Sequence, residues 1–227
     1  MFRIFLFAVF AVATSAHASL SVLVYDTTTH QPVISENADQ VRPVASITKL
    51  MTAIVSLETY SLDRVINVTK KSTRTVKDLL TSLLVRSDNY AAEILAKNHP
   101  EGRAAFITAM NEKARRLGLT KTHFDDPSGL INTNTSTANE LAVLVETAGR
   151  YEFIRQTSTQ VADNTNKTIL ERFSNVLVSK TGFTSKAGRC LVMLVDHQNK
   201  PHAIVILGEP TKEYRDTLAK NLLLTLR

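Results

Sequence analysis

An α/β fold of the α+β kind is predicted by this 227-residue sequence: an antiparallel sheet built from an N-terminal hairpin and a C-terminal meander, with packed helices and an α-helical lobe inserted between the two halves. Three observations carry this expectation. Short runs rich in Val, Ile and Leu lie at both ends of the chain. Apolar residues at helical spacing fill the middle. The connections between the C-terminal runs are short, as neighbouring strands of a meander require.

In chain order, residues 20–26 read as a strand, 27–30 as a turn and 31–35 as the hairpin partner. Pro43, then Ala45-Ser46 and a mostly apolar run, mark the start of a helix over 46–58. Residues 62–68 alternate like a strand. Helical spacing returns over 76–84, breaks at Arg86-Ser87-Asp88-Asn89 and resumes over 90–97. Residues 103–117 form a long amphipathic helix that Gly118 can close. Residues 122–130 are loop, turning at Pro127-Ser128-Gly129, with Asp125 and Asp126 as turn residues. Ser136-Thr137-Ala138-Asn139-Glu140 is a capping-type start for a helix over 136–148. Residues 158–170 are polar and irregular. The β-rich runs 176–182, 189–196 and 202–208 follow, and a helix over 211–226 closes the chain.

Residues 1–18 read as a secretory signal peptide. Arg3 supplies the positive start, residues 4–13 an apolar run too short to span a bilayer, and Ala16-His17-Ala18 a small-residue cleavage site. The expected mature protein is a single domain over 19–227, exported to the periplasm, with no transmembrane segment. The 19 residues after Gly208 suffice for one helix, so no C-terminal β domain is expected. The formal charge of +6 is dispersed and shows no nucleic-acid footprint. The histidines have no ligand spacing, and neither a metal nor a cofactor is expected. Cys190, the single cysteine, sits in an apolar run and reads as a small buried hydrophobe.

The chemistry is suggested by three elements in order. Ser46-Ile47-Thr48-Lys49 places a lysine one helical turn after a serine, so the amine can reach back to the hydroxyl. Alone this motif is common, and an N-cap serine explains it as well. Ser87-Asp88-Asn89 lies at a helix–helix break, and Lys180-Thr181-Gly182 at a strand end. Ser35-Glu36-Asn37 imitates the second element but precedes the serine. A Gly-x-Ser-x-Gly elbow is absent, and no histidine stands in an obvious triad.

With these motifs the chain resembles the penicillin-binding DD-peptidases, the low-molecular-mass D-alanyl-D-alanine carboxypeptidases and endopeptidases of the serine type, whose fold is β-lactamase/transpeptidase-like. Further stretches share the likeness: residues 43–53 around the serine, Phe124-Asp125-Asp126-Pro127-Ser128-Gly129-Leu130, and 180–192. The resemblance implies that Ser46 attacks a D-Ala-D-Xaa carbonyl and forms an acyl-enzyme, with Lys49 taking its proton. That role needs a depressed Lys49 pKa, which burial and a nearby Lys180 charge would supply. Ser87 would bridge Lys49 and the leaving amine. Asn89 would orient Lys49 and bond the substrate backbone. Lys180 and Thr181 would hold the substrate carboxylate or polar groups. Gly182 would let the substrate lie against the strand. The N–H groups of Ser46 and Phe183 would bind the oxyanion. Peptidoglycan stem peptides are the implied substrates and β-lactams covalent inhibitors.

Within that superfamily, the glutamate pattern of class A β-lactamases is missing between Ser87 and Lys180. The compact C-terminus and the 183–192 likeness lean toward endopeptidase cleavage of D-Ala–diaminopimelate cross-links, with carboxypeptidase activity left open. A β-lactamase-like hydrolase and a non-catalytic peptidoglycan-binding protein stay as alternatives.

Overall fold

The computed structural model describes residues 20–226, so the expected signal peptide lies outside the described residues. The chain opens with β1 (Ser21–Asp26) and β2 (Gln31–Glu36), a hairpin, and a short β3 (Arg42–Pro43). A turn of 3-10 helix at Ala45–Ile47 leads into α1 (Thr48–Thr59). A small hairpin of β4 (Val65–Thr69) and β5 (Ser72–Thr75) follows. Next come α2 (Val76–Val85), α3 (Asn89–Lys97) and α4 (Gly102–Arg116). After a loop come β6 (Thr135–Ser136), α5 (Ala138–Gly149), α6 (Glu152–Ser158) and α7 (Lys167–Leu170). The meander β7 (Val176–Thr184), β8 (Gly188–His197) and β9 (Lys200–Glu209) precedes α8 (Lys212–Thr225).

The hairpin and the meander form one five-stranded antiparallel sheet in the order β2-β1-β9-β8-β7. The first strand pairs with the last, Leu23 opposite Val205, which closes the domain across nearly its whole length. Strand alternation sorts the core into two layers. Leu23, Val178, Val192, Leu194, Ala203 and Val205 belong to the large core shared with α1 and α5. Val22, Val24, Leu191, Met193, Ile204 and Ile206 pack with Ala219, Leu222 and Leu223 of α8. Helices α2 to α4 form the inserted lobe, packed on one another and on α1.

Local chemistry sets the boundaries near the site. Thr75 and Asp78 close a capping box at the start of α2. Asp88 caps α3 by accepting from the Tyr90 and Ala91 N–H groups. Thr137 and Thr211 cap α5 and α8 in the same way. Three elements depart from expectation. The strand near 62–68 begins at Val65 and has a partner, β5, not anticipated because Ser72–Thr75 carries no apolar residue. Helix α6 has no counterpart in the sequence expectation, and the stretch expected to be irregular contains α7.

Candidate active site

Ser46 sits in the 3-10 turn that starts α1, and Lys49 lies on the first turn of that helix. Lys49 is completely buried. Its Nζ lies 2.8 Å from Ser46 Oγ, 2.6 Å from Asn89 Oδ1 and 2.5 Å from the Ser128 carbonyl. Burial pushes its pKa down to about 8, against the opposing pull of the Asp126 and Asp88 carboxylates. The amine donates to all three, and on losing the proton that faces Ser46 it would aim its lone pair at that hydroxyl.

The Ser128 carbonyl is held by a rigid loop. The Asp126 carboxylate accepts from the N–H groups of Ser128, Gly129 and Ile131 and from the Ser128 hydroxyl. Asn134 Oδ1 accepts from the Asp125 and Asp126 N–H groups, while its Nδ2 donates to Thr48 Oγ1 and the Asp126 carbonyl. Thr52 on α1 donates to the Pro127 carbonyl at 2.6 Å. Gly129 has φ +82°, and a Cβ there would collide with the Ala45 carbonyl. The loop is thus pressed against the turn that carries the serine.

Ser87 lies between α2 and α3 with φ +60°, and Ala45, just before Ser46, has φ +47°. Non-glycine residues in this region cost on the order of 1–3 kcal/mol each, and two of them flank the same cleft. Ser87 Oγ accepts from Lys180 Nζ at 2.9 Å; Lys180 also donates to the Thr181 carbonyl at 2.9 Å. Lys180 is buried, and its pKa is driven well below the ordinary range by that burial, then by the charges of Lys49 and Arg215. The three motifs therefore converge, but with a different pairing: Ser87 partners Lys180 and makes no bond to Lys49. The electrostatic expectation changes as well. The depression at Lys49 comes from burial, whereas the charge of one lysine acts on the other chiefly at Lys180.

Ser46, Ser87, Thr165, Thr181, Gly182, Phe183, Arg189, Lys212 and Arg215 line a cleft of about 350 Å³. A larger groove of about 630 Å³, bounded by Leu62, Lys77, Phe153 and Gln160, contains none of the motif residues. Thr181 Oγ1 donates to Thr165 Oγ1 at 2.8 Å. Gly182 has a packing reason for lacking a side chain. A Cβ there would stand 2.9 Å from the Val44 carbonyl and 3.0 Å from Ser46 N, so the strand could not approach the serine turn. Expectation gave this glycine to the substrate; the collision shown is with the protein's own backbone.

The family described as D-alanyl-D-alanine carboxypeptidase matches residues 8–72 and 61–211. The chain belongs to that family. It is 38% identical to a D-alanyl-D-alanine endopeptidase of Escherichia coli, over 87% of this chain and 74% of the relative. A D-alanyl-D-alanine endopeptidase of Pseudomonas aeruginosa is 37% identical over 84% of this chain and 71% of its own. Among solved structures, penicillin-binding protein D2 of Listeria monocytogenes with ampicillin bound superposes with a TM-score of 0.80 at 27% identity, covering 91% of this chain and 95% of that one.

The D-alanyl-D-alanine carboxypeptidase family comprises serine hydrolases, and the antiparallel sheet with its helical insert is the fold of its penicillin-binding members. Several residues around the site of this family member were given no role by the sequence motifs. Ser128 contributes a main-chain carbonyl, which no side-chain motif can reveal. Thr165 lies in the stretch read as irregular. Lys212 and Arg215 reach the cleft through the docking of α8 on β8 and β9, and Arg189 stands at the start of β8 opposite Phe183. Among the described residues no group of His, Cys, Asp and Glu is arranged to hold a metal, and no helix is long and apolar enough to cross a membrane. Cys190 is buried, and burial raises its thiol to about 11, which leaves it inert.

Proposed function

We propose that this protein is a serine DD-endopeptidase that cleaves D-Ala–diaminopimelate cross-links between peptidoglycan stem peptides, with carboxypeptidase activity on uncross-linked stems as a lesser reaction. One observation carries the reading: the buried Lys49 amine, 2.8 Å from Ser46 Oγ, with two acceptors occupying its other N–H positions. At neutral pH about a tenth of a group with such a pKa is neutral and able to accept a proton. Ser46 Oγ attacks the D-Ala carbonyl as Lys49 takes its proton, and the oxyanion rests on the N–H groups of Ser46 and Phe183. Gly182, held against Ser46 N, supports that pairing of donors.

The leaving amine then needs a proton. Ser87, backed by Lys180, faces the cleft and can relay one, and Asn89 keeps Lys49 aligned. Thr181 offers its hydroxyl to the carboxylate next to the scissile nitrogen. Strand β7 is the sheet edge, so an extended stem peptide can lie along it. The names of the E. coli and P. aeruginosa relatives favour the cross-link over the terminal D-Ala.

Water then attacks the acyl-enzyme carbonyl, giving its proton to the general base and freeing Ser46 Oγ and the D-Ala carboxylate; the cleft lining includes no carboxylate to activate water against a bulky penicilloyl ester. β-Lactams are therefore expected to acylate Ser46 and stay bound, as the ampicillin-bound relative suggests. Residues 1–18 would direct the protein to the periplasm and be removed. The test is incubation of purified protein with defined muropeptides followed by mass analysis. Conversion of dimers to monomers supports the reading. Release of free D-Ala alone would make it a carboxypeptidase, and steady cephalosporin turnover would make it a β-lactamase.

A further inference from the structure

Arg189 stands apart among the cations of the cleft. Arg215 is buried and donates through Nε and Nη2 to Asp216, at 2.9 Å and 2.5 Å, so its charge is matched within the protein. Arg189 has no ion-pair partner among the described residues, and its buried Nε has no hydrogen-bond acceptor. Its guanidinium carbon lies 3.7 Å above the Phe183 ring, whose face is half exposed at 50%. Glu209 lies opposite in the strand register, yet the two form no salt bridge, and burial raises the Glu209 carboxyl. Lys212, at the first turn of α8, lines the same wall, is exposed and also lacks a carboxylate partner.

An arginine that is partly desolvated, set over an aromatic ring and unpaired is organised to receive a planar anion. Its position says which part of the substrate arrives there. Thr181 and Phe183 point to the α8 face of the sheet, the face of Leu191, and Arg189 is registered with Phe183. Lys180 and Gly182 point to the opposite face, toward the serine. The Arg189 wall therefore continues from the Thr181 hydroxyl, on the leaving side of the scissile bond. A released D-Ala carries one carboxylate, for which the Thr181 hydroxyl in the same cleft is the proposed partner. A leaving stem peptide carries further carboxylates.

Resting on the proposed endopeptidase reading, we propose that Arg189, stacked on Phe183 and assisted by Lys212, binds a second carboxylate of the leaving stem peptide and so sets the preference for cross-linked over uncross-linked substrate. The contact is made in the ground state and the transition state alike, so it acts mainly through KM.

The test uses a muropeptide dimer, the same dimer with the outer carboxylates of the leaving stem amidated, and a pentapeptide monomer. On the unaltered protein, amidation should cost roughly tenfold in kcat/KM, the scale of one charge-assisted hydrogen bond. Arg189→Gln should lower the ratio of dimer cleavage to D-Ala release by roughly the same factor. The amidation penalty should then shrink to less than about twofold, because the two changes remove one contact. A ratio that stays put, or an amidation penalty as large in the variant as in the parent, would overturn the proposal. If Arg189→Gln fails to fold, the amidated dimer on the unaltered protein still decides. Dissociation constants measured with Ser46→Ala, which cannot turn over, read the subsite separately from the chemistry. A protein never labelled by penicillin would defeat the functional reading, while the affinity ratio for the two dimers would still judge Arg189.

Discussion

The two faces of strand β7 handle positive charge in opposite ways. On the face toward α1, Lys180 is 1% exposed and Lys49 is 0% exposed; every N–H of the Lys49 amine has an acceptor, and burial lowers both pKa values. On the face toward α8, Arg189 and Lys212 are open to the cleft and keep unmatched charge. A dry, fully bonded amine is a poor anchor for a substrate anion but a good proton acceptor, because desolvation makes the neutral form accessible. A guanidinium at the edge of the cleft, half-buried and unmatched by a carboxylate, has the reverse properties. On the proposed function, one strand separates bond making from recognition, and adjacent residues take different tasks because side chains alternate across it.

The largest expected effect breaks the dry face. Lys49→Arg keeps a positive charge and a long stem but cannot yield a neutral base, since a guanidinium does not deprotonate in this range. Acylation by a labelled penicillin should fall by about 10³- to 10⁴-fold, the upper part of the range for removing a general base. Lys49→Met, which removes the charge as well, should fall as far. If Lys49→Arg retains acylation within about tenfold of the parent, the proton goes elsewhere, with the Ser87–Lys180 pair as the next candidate.

How much of this could be read beforehand depends on the distance between partners along the chain. The Ser46–Lys49 contact is local, and helix geometry dictates it once the helix start is recognised. The strands at both ends were legible because their apolar alternation is strong, and so was the sheet they share. Strand β5 was not, because Ser72 and Thr73 are exposed, Arg74 and Thr75 are half-buried, and none is apolar, which leaves no period to detect. Helix α6 buries just one large apolar residue, Ile154, which is too little for a periodic signal. The pairing of Ser87 with Lys180 spans 93 residues and depends on where the α2–α3 break meets β7. The residue types announced that both belong to the site but not which lysine takes which serine. The Arg189 wall was invisible for a further reason: it is defined by partners that are missing, and absence of a counter-charge is a property of the folded surface alone.

The acylation rate should next show the pKa of the dry face directly. Lys49 must be neutral to act, so activity is present above its pKa and lost as pH falls through it. With that pKa at about 8, the rate constant for acylation should drop roughly 50-fold from pH 8 to pH 6, approaching tenfold per unit at the acid end. A single-turnover pH profile with a neutral ester of penicillin, its β-lactam ring intact and no titrating group of its own, isolates the limb. A flat profile down to pH 6 would mean that Lys49 is not the titrating base, however well placed it is.

Ionic strength gives the smallest effect and sharpens the contrast between the faces. Between 0.05 and 0.5 M salt the Debye length falls from roughly 14 Å to roughly 4 Å, which screens exposed charges strongly and buried ones far less. The KM for cross-linked dimer should rise by about two- to fivefold over that range, because Arg189 and Lys212 meet their anion at the solvent edge. The midpoint of the acylation pH profile should move by less than about 0.3, because Lys49 is shielded from mobile ions by the protein around it. The two readouts are independent, so each can fail alone. A midpoint that shifts as strongly as KM would show that salt and water reach Lys49, and the division of labour across β7 would then be one of degree. A KM indifferent to salt, with the midpoint also unmoved, would mean that the α8 face recognises the leaving stem by shape, with Phe183 contributing its exposed ring and Arg189 serving mainly to hold that ring in place.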